Sequence, residues 1–194
     1  MRRHRGGTAP PGRVHVIGGH LRRSWLGVPV LPGLRPTPQR VRQTLFDWLA
    51  PVIEGARVLD AFAGTGALGI EALSRGAATA TFFERDPGQA RALAADLARL
   101  HCDGGDVQCV DTFAALAAVA PAKFDVVFID PPFGARAWEQ TAERLDANGW
   151  LAGGAWIYVE AGAADPWRVP ARWQAHRRLT AGTVRGTLFR IAAM

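Results

Sequence analysis

The sequence predicts a doubly wound α/β fold with a mostly parallel sheet, and three observations support this prediction. The chain has 194 residues, 48% of them hydrophobic, which suits one compact domain with at most a small appendage. Between residues 57 and 159, short apolar runs alternate with segments of helical pattern. The first run leads into a glycine-rich turn at Gly64. Such alternation indicates parallel strands joined by right-handed helical crossovers.

The N-terminal region precedes this alternation. Residues 1–12 read as a flexible basic tail. Short strand-like runs at Val14–Ile17 and Val28–Val30 predict a small β-ribbon. A helix is expected to begin at Thr37 and Pro38, because Thr is a good N-cap and Pro is favoured at the first helical position.

The alternating region contains five predicted strands and four predicted helices. The strands are expected at residues 57–60, 78–83, 106–110, 124–129 and 155–159, and the helices at 67–75, 87–101, 112–120 and 136–146. The C-terminal part differs, because residues 173–179 and 183–191 flank a turn at Gly182 and predict an antiparallel hairpin.

The net charge of +6 is distributed unevenly along the chain. Residues 1–46 carry nine Arg and no acid, and residues 166–194 carry six Arg and no acid. The middle of the chain, residues 47–165, has a net charge of −9. The use of Arg in place of Lys fits a GC-rich genome, but this does not explain why acids avoid both ends. Basic ends around an acidic body predict contact with a polyanion such as nucleic acid.

Composition also excludes several classes of protein. No apolar run approaches the ~18 residues of a membrane span, and the basic N-terminus lacks the apolar stretch of a secretory signal. Cys102 and Cys109 have no metal-ligand spacing and cannot staple a domain of this size. We therefore expect a cytoplasmic protein, a monomer, with no membrane contact and no metal.

The glycine-rich turn predicts the cofactor. Gly64, Gly66 and Gly69 satisfy the G-x-G-x-x-G pattern of dinucleotide sites, which by itself is weak evidence. Asp60 ends the preceding strand, where a carboxylate would repel the phosphates of a dinucleotide. A cofactor with an ammonium and a sulfonium, and no phosphate, would be attracted there. S-adenosyl-L-methionine is such a cofactor, which favours methyl transfer over hydride transfer.

Further acids follow the next two strands. Glu84 is expected to accept hydrogen bonds from both ribose hydroxyls, and Asp111 from the adenine amino group. Thr37 and Arg40, at the start of the first helix, are expected to close over the methionine end. The predicted cofactor-binding residues are Thr37, Arg40, Asp60, Phe62, Gly64, Gly66, Glu84, Arg85 and Asp111.

A second turn, Asp130-Pro131-Pro132-Phe133, predicts the reaction. Its two prolines fix the backbone and leave neighbouring carbonyls free to accept hydrogen bonds. Asp130 and the Pro131 carbonyl can then both accept from one planar amino group, which turns its lone pair towards a sulfonium methyl. Phe133 offers a face for a base taken out of its stack. These four residues are the predicted catalytic set.

With these residues assembled, the sequence resembles the RsmD family of bacterial 16S rRNA (guanine-N2) methyltransferases, from about Arg13 to Phe189. The segments that carry the resemblance are Ile17–Gly19, Gly33–Thr37, Arg40–Phe46, the loops at 60–69 and 130–133, and Asn148–Leu151. The resemblance implies a class I, Rossmann-like fold and methylation of the exocyclic N2 of one guanine in 16S rRNA of the small ribosomal subunit. It also implies that the N-terminal ribbon helps to hold RNA.

One position departs from the family pattern. The family usually has Arg-Gly-Arg in the ribbon, where this chain has Arg22-Arg23-Ser24. The lost glycine is expected to straighten the ribbon, and the lost arginine to remove one phosphate contact. The predicted RNA-binding residues are Arg13, Arg22, Arg23 and Arg35.

The sequence therefore predicts an S-adenosylmethionine-dependent rRNA guanine-N2 methyltransferase. We expect a tail at 1–12, an RNA-binding appendage at 13–50 and a methyltransferase domain at 51–194. One alternative is a DNA adenine-N6 methyltransferase, although the chain has no room for a DNA target-recognition domain. Another is a catalytically silent ribosome-assembly factor that binds RNA, which would not need the Asp130 turn.

Overall fold

The computed structural model describes residues 12–28, 38–132, 137–163 and 168–192. Its strands are β1 (Gly12–His15), β2 (Trp25–Val28), β3 (Arg57–Asp60), β4 (Thr79–Phe83), β5 (Gly105–Gln108), β6 (Phe124–Ile129), β7 (Leu151–Gly162), β8 (Trp173–Ala181) and β9 (Val184–Ile191). Its helices are α1 (Gln39–Leu49), α2 (Ala67–Ser74), α3 (Pro87–Arg99), α4 (Thr112–Leu116) and α5 (Ala137–Ala147).

Seven strands form one sheet in the order β5-β4-β3-β6-β7-β9-β8. The first five strands of this order are parallel, and β9 pairs antiparallel with both β7 and β8. One face packs in a core with Leu45 of α1 and Ile70 of α2, and the other with Leu116 of α4 and Leu145 of α5. The predicted doubly wound fold with a C-terminal antiparallel hairpin is confirmed. The carboxyl ends of β3 and β6 adjoin, which is where open α/β sheets form a ligand-binding crevice.

Two elements of the main domain, α4 and β7, differ from the prediction by more than two residues. Helix α4 ends at Leu116 and not at residue 120, because the N–H of Ala120 donates to the carbonyl of Asn148 at 3.1 Å. Strand β7 runs from Leu151 to Gly162, well beyond the predicted 155–159. Its second half is extended by antiparallel pairing with β9, a long-range partner that a local pattern does not reveal.

The N-terminal ribbon forms, but its second strand begins earlier than predicted. Strands β1 and β2 pair antiparallel with Val14 opposite Leu26, so β2 starts at Trp25 and not at Val28. Both residues are buried in the core that also contains α1 and α2. At the start of α1, Pro38 occupies the N-cap and not the first helical position. Thr37, the predicted cap, lies outside the described residues.

A buried carboxylate fastens this ribbon to the domain. Glu71 of α2 has no exposed surface. Its two oxygens accept hydrogen bonds from the backbone N–H groups of Ile17 at 2.7 Å and Gly18 at 2.8 Å. It also accepts from Arg75 Nε at 2.7 Å. Burial lowers the pKa of the nearby Arg42, and the charge of Glu71 partly opposes this shift. The attachment of the ribbon therefore includes a buried anionic group that the sequence reading did not single out.

The ribbon turn keeps a left-handed residue despite the lost glycine. Arg23 has φ of 74°, in the region that favours glycine. Its N–H donates to the Val16 carbonyl at 3.0 Å, and that of Ser24 donates to the Leu21 carbonyl at 2.9 Å. The expectation that the ribbon straightens is therefore wrong, because these hydrogen bonds hold the turn and the arginine adopts the strained conformation.

Candidate active site

The loop between β3 and α2 is built around Asp60. Its side chain is 2% exposed, and its Oδ2 accepts from the N–H of Gly69 in the first turn of α2 at 3.1 Å. Burial raises the Asp60 pKa to about 7, with a smaller rise from the charge of Glu84, while the N–H groups of Gly69 and Phe62 oppose the shift. A cation placed beside this carboxylate would stabilise its charged form. Asp60 thus joins strand to helix and remains responsive to a positively charged ligand.

The glycines of this loop have different physical roles. Gly64 and Gly66 have φ of 52° and 71°, so the turn uses left-handed backbone at both positions. A Cβ on Gly66 would lie 2.3 Å from a methyl of Leu93. A Cβ on Gly69 would lie 2.2 Å from the ring of Phe82, so this glycine lets α2 pack directly on β4. Packing therefore leaves no space for a side chain at Gly66 or Gly69.

Glu84 follows β4 and braces the same loop. Its Oε2 accepts from the N–H of Gly64 at 2.9 Å, and its Oε1 from the N–H of Asp86 at 2.8 Å. Gln89, which is 5% exposed, donates to the Gly64 carbonyl at 2.6 Å. Both backbone polar groups of Gly64, its N–H and its carbonyl, are thus held by side chains. Sequence reading missed Gln89, whose only signal is its place three residues after the helix cap Asp86.

The remaining predicted cofactor residues differ in their contacts and in their exposure. Asp111 caps α4, accepting from the N–H of Ala114 at 3.0 Å, a structural role that the sequence reading did not assign. The Phe62 ring lies 6.2 Å from that of Phe113 in an edge-on arrangement. Arg40 and Arg85 are exposed.

A second missed residue, Thr112, ties α4 to this loop. Its hydroxyl donates to the Ala61 carbonyl at 2.5 Å, and its side chain is buried. This hydrogen bond joins residues 51 positions apart, so no local pattern signals it.

The Asp130 turn lies at the same edge of the sheet. Asp60 pairs in register with Phe128, two residues before Asp130, which brings the two acid-bearing strand ends side by side. Pro131 is buried, and Pro132 is exposed. Phe133 lies outside the described residues.

A buried phenol and carboxylate adjoin this turn. The Tyr158 hydroxyl donates to Glu160 Oε2 at 3.0 Å, and both residues are at most 5% exposed. The pKa of Tyr158 is raised, first by burial, then by the charge and hydrogen bond of Glu160, and least by the charge of Asp130. Tyr158 therefore stays protonated and acts as a donor beside the acids.

The predicted RNA-binding residues lie on the ribbon, away from this edge. Arg13, Arg22 and Arg23 are exposed, and the Arg13 guanidinium lies 5.6 Å from the ring centre of Trp25. Arg35 lies outside the described residues. Among the described residues, no group of His, Cys, Asp and Glu side chains is arranged to hold a metal ion, and no helix is long and apolar enough to cross a membrane.

The strand order, the glycine turn after β3 and the Asp-Pro-Pro turn after β6 define a Rossmann-like methyltransferase. Solved structures share this fold. A putative methyltransferase of Escherichia coli, yhhF, superposes with a TM-score of 0.86 at 45% identity, covering 94% of this chain and 100% of that one. An RNA methyltransferase of Salinibacter ruber, solved with S-adenosyl-L-homocysteine, superposes with a TM-score of 0.63 at 19% identity, covering 81% and 94%.

The particular family follows from sequence. A family model described as "Conserved hypothetical protein 95" matches residues 14–190. Ribosomal RNA small subunit methyltransferase D of E. coli K12 is 47% identical over 180 residues, which cover 92% of this chain and 90% of that protein. This chain belongs to the RsmD family.

Proposed function

We propose that this protein transfers a methyl group from S-adenosyl-L-methionine to the exocyclic N2 of a guanine in 16S rRNA of the small ribosomal subunit. The observation that carries the proposal is the position of Asp130, directly after β6 and beside the strand end that bears Asp60. The relatives named for small-subunit rRNA methylation support the substrate class. The fold shared with a methyltransferase that binds S-adenosyl-L-homocysteine supports the donor.

The residues around the glycine turn fit this cofactor. The left-handed backbone at Gly64 and Gly66 forms a turn without side chains at these positions, and Glu84 provides carboxylate oxygens beside it. We infer that Glu84 accepts from ribose hydroxyls and that Asp60 stabilises the positive methionine end. When bound, the cofactor supplies an electrophilic methyl group on a sulfonium.

The chain's own groups then act on the amine. The lone pair of an exocyclic amino group is delocalised into the base, so the group is a poor nucleophile. Asp130 and the Pro131 carbonyl accept hydrogen bonds from the two N–H groups of this amine. These hydrogen bonds fix its orientation and stabilise the positive charge that develops on nitrogen. Phe133 offers an aromatic face for the base. Tyr158 is neutral, so it adds no negative charge of its own near Asp130.

A direct reaction tests the proposal. Purified protein is incubated with methyl-labelled S-adenosylmethionine and either 16S rRNA or small-subunit particles from cells lacking the modification, and the product nucleosides are identified by mass spectrometry. We expect N2-methylguanosine at a single position, mapped by primer extension. Label in N6-methyladenosine of a DNA substrate would support the alternative enzyme. Absence of transfer to every substrate, with RNA still bound, would support a silent assembly factor.

Glu84→Ala should weaken S-adenosylmethionine binding by roughly 1.5–3 kcal/mol, the usual range for a hydrogen bond that involves a charge. The substitution removes the ribose acceptor and frees the Gly64 N–H that Glu84 holds. Isothermal calorimetry measures the change, with Asp106→Ala as the exposed-acid control, for which we expect unchanged affinity. Unchanged affinity in a folded Glu84→Ala protein would mean that Glu84 only braces the loop.

Changing Arg22 and Arg23 together to Ala should flatten the slope of log RNA affinity against log salt by roughly one unit. Each phosphate neutralised on a single strand contributes about −0.7, and we allow for one imperfect contact. Base choice should not change, because phosphate contacts carry no sequence information directly. Ala is no less suited than Arg to φ of 74°, so the turn should persist. RNA titrations at several salt concentrations measure the slope, and an unchanged value would contradict the role of the ribbon.

A further inference from the structure

The face of the C-terminal hairpin presents an aromatic ring held between basic side chains. Trp156 of β7 pairs in register with Arg190 of β9, whose guanidinium lies 5.3 Å from the ring centre. The His176 ring of β8 meets the same indole edge-on at 4.9 Å. Trp156 is half-buried, whereas His176 and Arg190 are exposed. The indole is thus fixed in position and still reachable from solvent.

A third basic residue joins this face through a β-bulge. The pairing of β8 with β9 shifts between Ala175 and Arg177, so that His176 is the extra residue. Arg177 lies opposite Leu188, and directly opposed residues share one face of the sheet. Leu188 and Arg190 are two positions apart on β9, so Arg177 lies on their face. We call Trp156, His176, Arg177 and Arg190 the hairpin surface.

The arginines of this surface have no acidic ion-pair partner among the described residues. Residues 166–194 contain no acid. Within the described part of the chain, the ion pairs use Arg57, Arg75, Arg99 and Arg172, and none involves Arg177 or Arg190. The two exposed guanidinium groups therefore remain available to an anionic partner.

The hairpin surface and the ribbon lie towards opposite edges of the sheet. The ribbon contacts α2 and α3, for example through Gly27 N–H and Asp96 at 3.2 Å, on the side of β4 and β5. Strand β8 forms the opposite edge of the sheet. Strand β9 begins with Val184 opposite Gly162, at the carboxyl end of β7, and Arg190 lies six residues, about 20 Å, further along. The surface therefore extends away from the edge that carries Asp130.

We propose that the hairpin surface is a second RNA-binding surface, which holds the single-stranded rRNA segment next to the target base. The proposal rests on the proposed function, since it takes rRNA as the substrate. Stacking on an aromatic ring combined with arginine contacts to the backbone is the usual mode of single-strand binding. Exposed arginines on an edge strand also discourage pairing with other sheets, which is the competing explanation. On this proposal the ribbon and the hairpin surface contact rRNA towards opposite edges of the sheet, while the target base lies at Asp130.

Salt-dependent RNA binding by Arg177→Gln/Arg190→Gln tests the proposal. The slope of log affinity for 16S rRNA against log salt should flatten by about 1.4, or about 0.7 for each arginine. Lys123→Gln is the control, because Lys123 is an exposed cation just before β6 and outside the β8–β9 hairpin; its slope should not change. Combined with the Arg22 and Arg23 substitutions, the effects should add, because the two surfaces are far apart.

The outcomes separate the possible explanations. An unchanged slope in the double variant overturns the proposal. If that variant also self-associates in sedimentation velocity, the arginines protect the sheet edge. S-adenosylmethionine affinity, measured in parallel, reports an intact methyltransferase fold. Methyl transfer to rRNA by the unaltered protein tests the proposed function separately, so a failure of one conclusion is not mistaken for a failure of the other.

Discussion

Replacing Asp130 with Ala is expected to abolish measurable methyl transfer while S-adenosylmethionine affinity stays within a few-fold of its original value. The carboxylate is proposed to act on the amine, where its hydrogen bond strengthens as positive charge develops in the transition state. Loss of such an interaction lowers kcat and kcat/KM together. Transfer of labelled methyl to rRNA measures the effect, and calorimetry with the cofactor confirms an intact binding site.

Two further variants sharpen this test. Asp130→Asn keeps an acceptor oxygen and should retain partial activity, which a purely structural role of the carboxylate would not predict. Asp103→Ala, an exposed acid at the start of the turn before β5, is the matched control and should be fully active. If Asp130→Ala retained more than about a tenth of the original turnover, a loss below ~1.4 kcal/mol, Asp130 would not have the proposed role.

The sheet could be predicted from sequence because its order follows from local patterns. The parallel strands β3, β4 and β6 are short, largely apolar runs between helical segments, and crossovers of fixed hand then leave few arrangements. The acids Asp60, Glu84 and Asp130 could be predicted for the same reason. Asp60 is the last residue of β3, and Glu84 and Asp130 come directly after β4 and β6. Parallel strands bring such ends to one edge.

The contacts that fix the loops could not be predicted in this way. Thr112 bonds to Ala61 and Gln89 to Gly64 across 51 and 25 residues, and neither pairing leaves a local signal. The left-handed conformation of Arg23 was also missed, because a positive φ is usually adopted by glycine. Only the surrounding hydrogen bonds impose this conformation on an arginine. Residue type therefore predicts the position of the candidate site residues better than it predicts the hydrogen bonds that hold the loops around them.

Glu71→Ala is expected to lower the free energy of unfolding by about 3–5 kcal/mol, the range for removing one partner of a buried charge pair. Glu71 has no exposed surface and accepts from two ribbon N–H groups and from Arg75, so its removal leaves three donors unsatisfied. The buried Arg42 would also lose the negative charge that supports its ionised form. Urea unfolding measures the loss, and hydrogen exchange should show faster exchange at the Ile17 and Gly18 amides.

The ribbon should loosen before the sheet does, because Glu71 is its charged attachment while the parallel strands retain their own cores. Glu71→Gln, which keeps one acceptor oxygen and loses the charge, should be intermediate in stability. Glu54→Ala removes an exposed glutamate and should change stability by less than about 0.5 kcal/mol. If Glu71→Ala cost under about 1 kcal/mol, the apolar contacts of Val14 and Leu26 and the hydrogen bonds to Ser74 and Asp96 would hold the ribbon. Its orientation towards RNA would then not depend on this carboxylate.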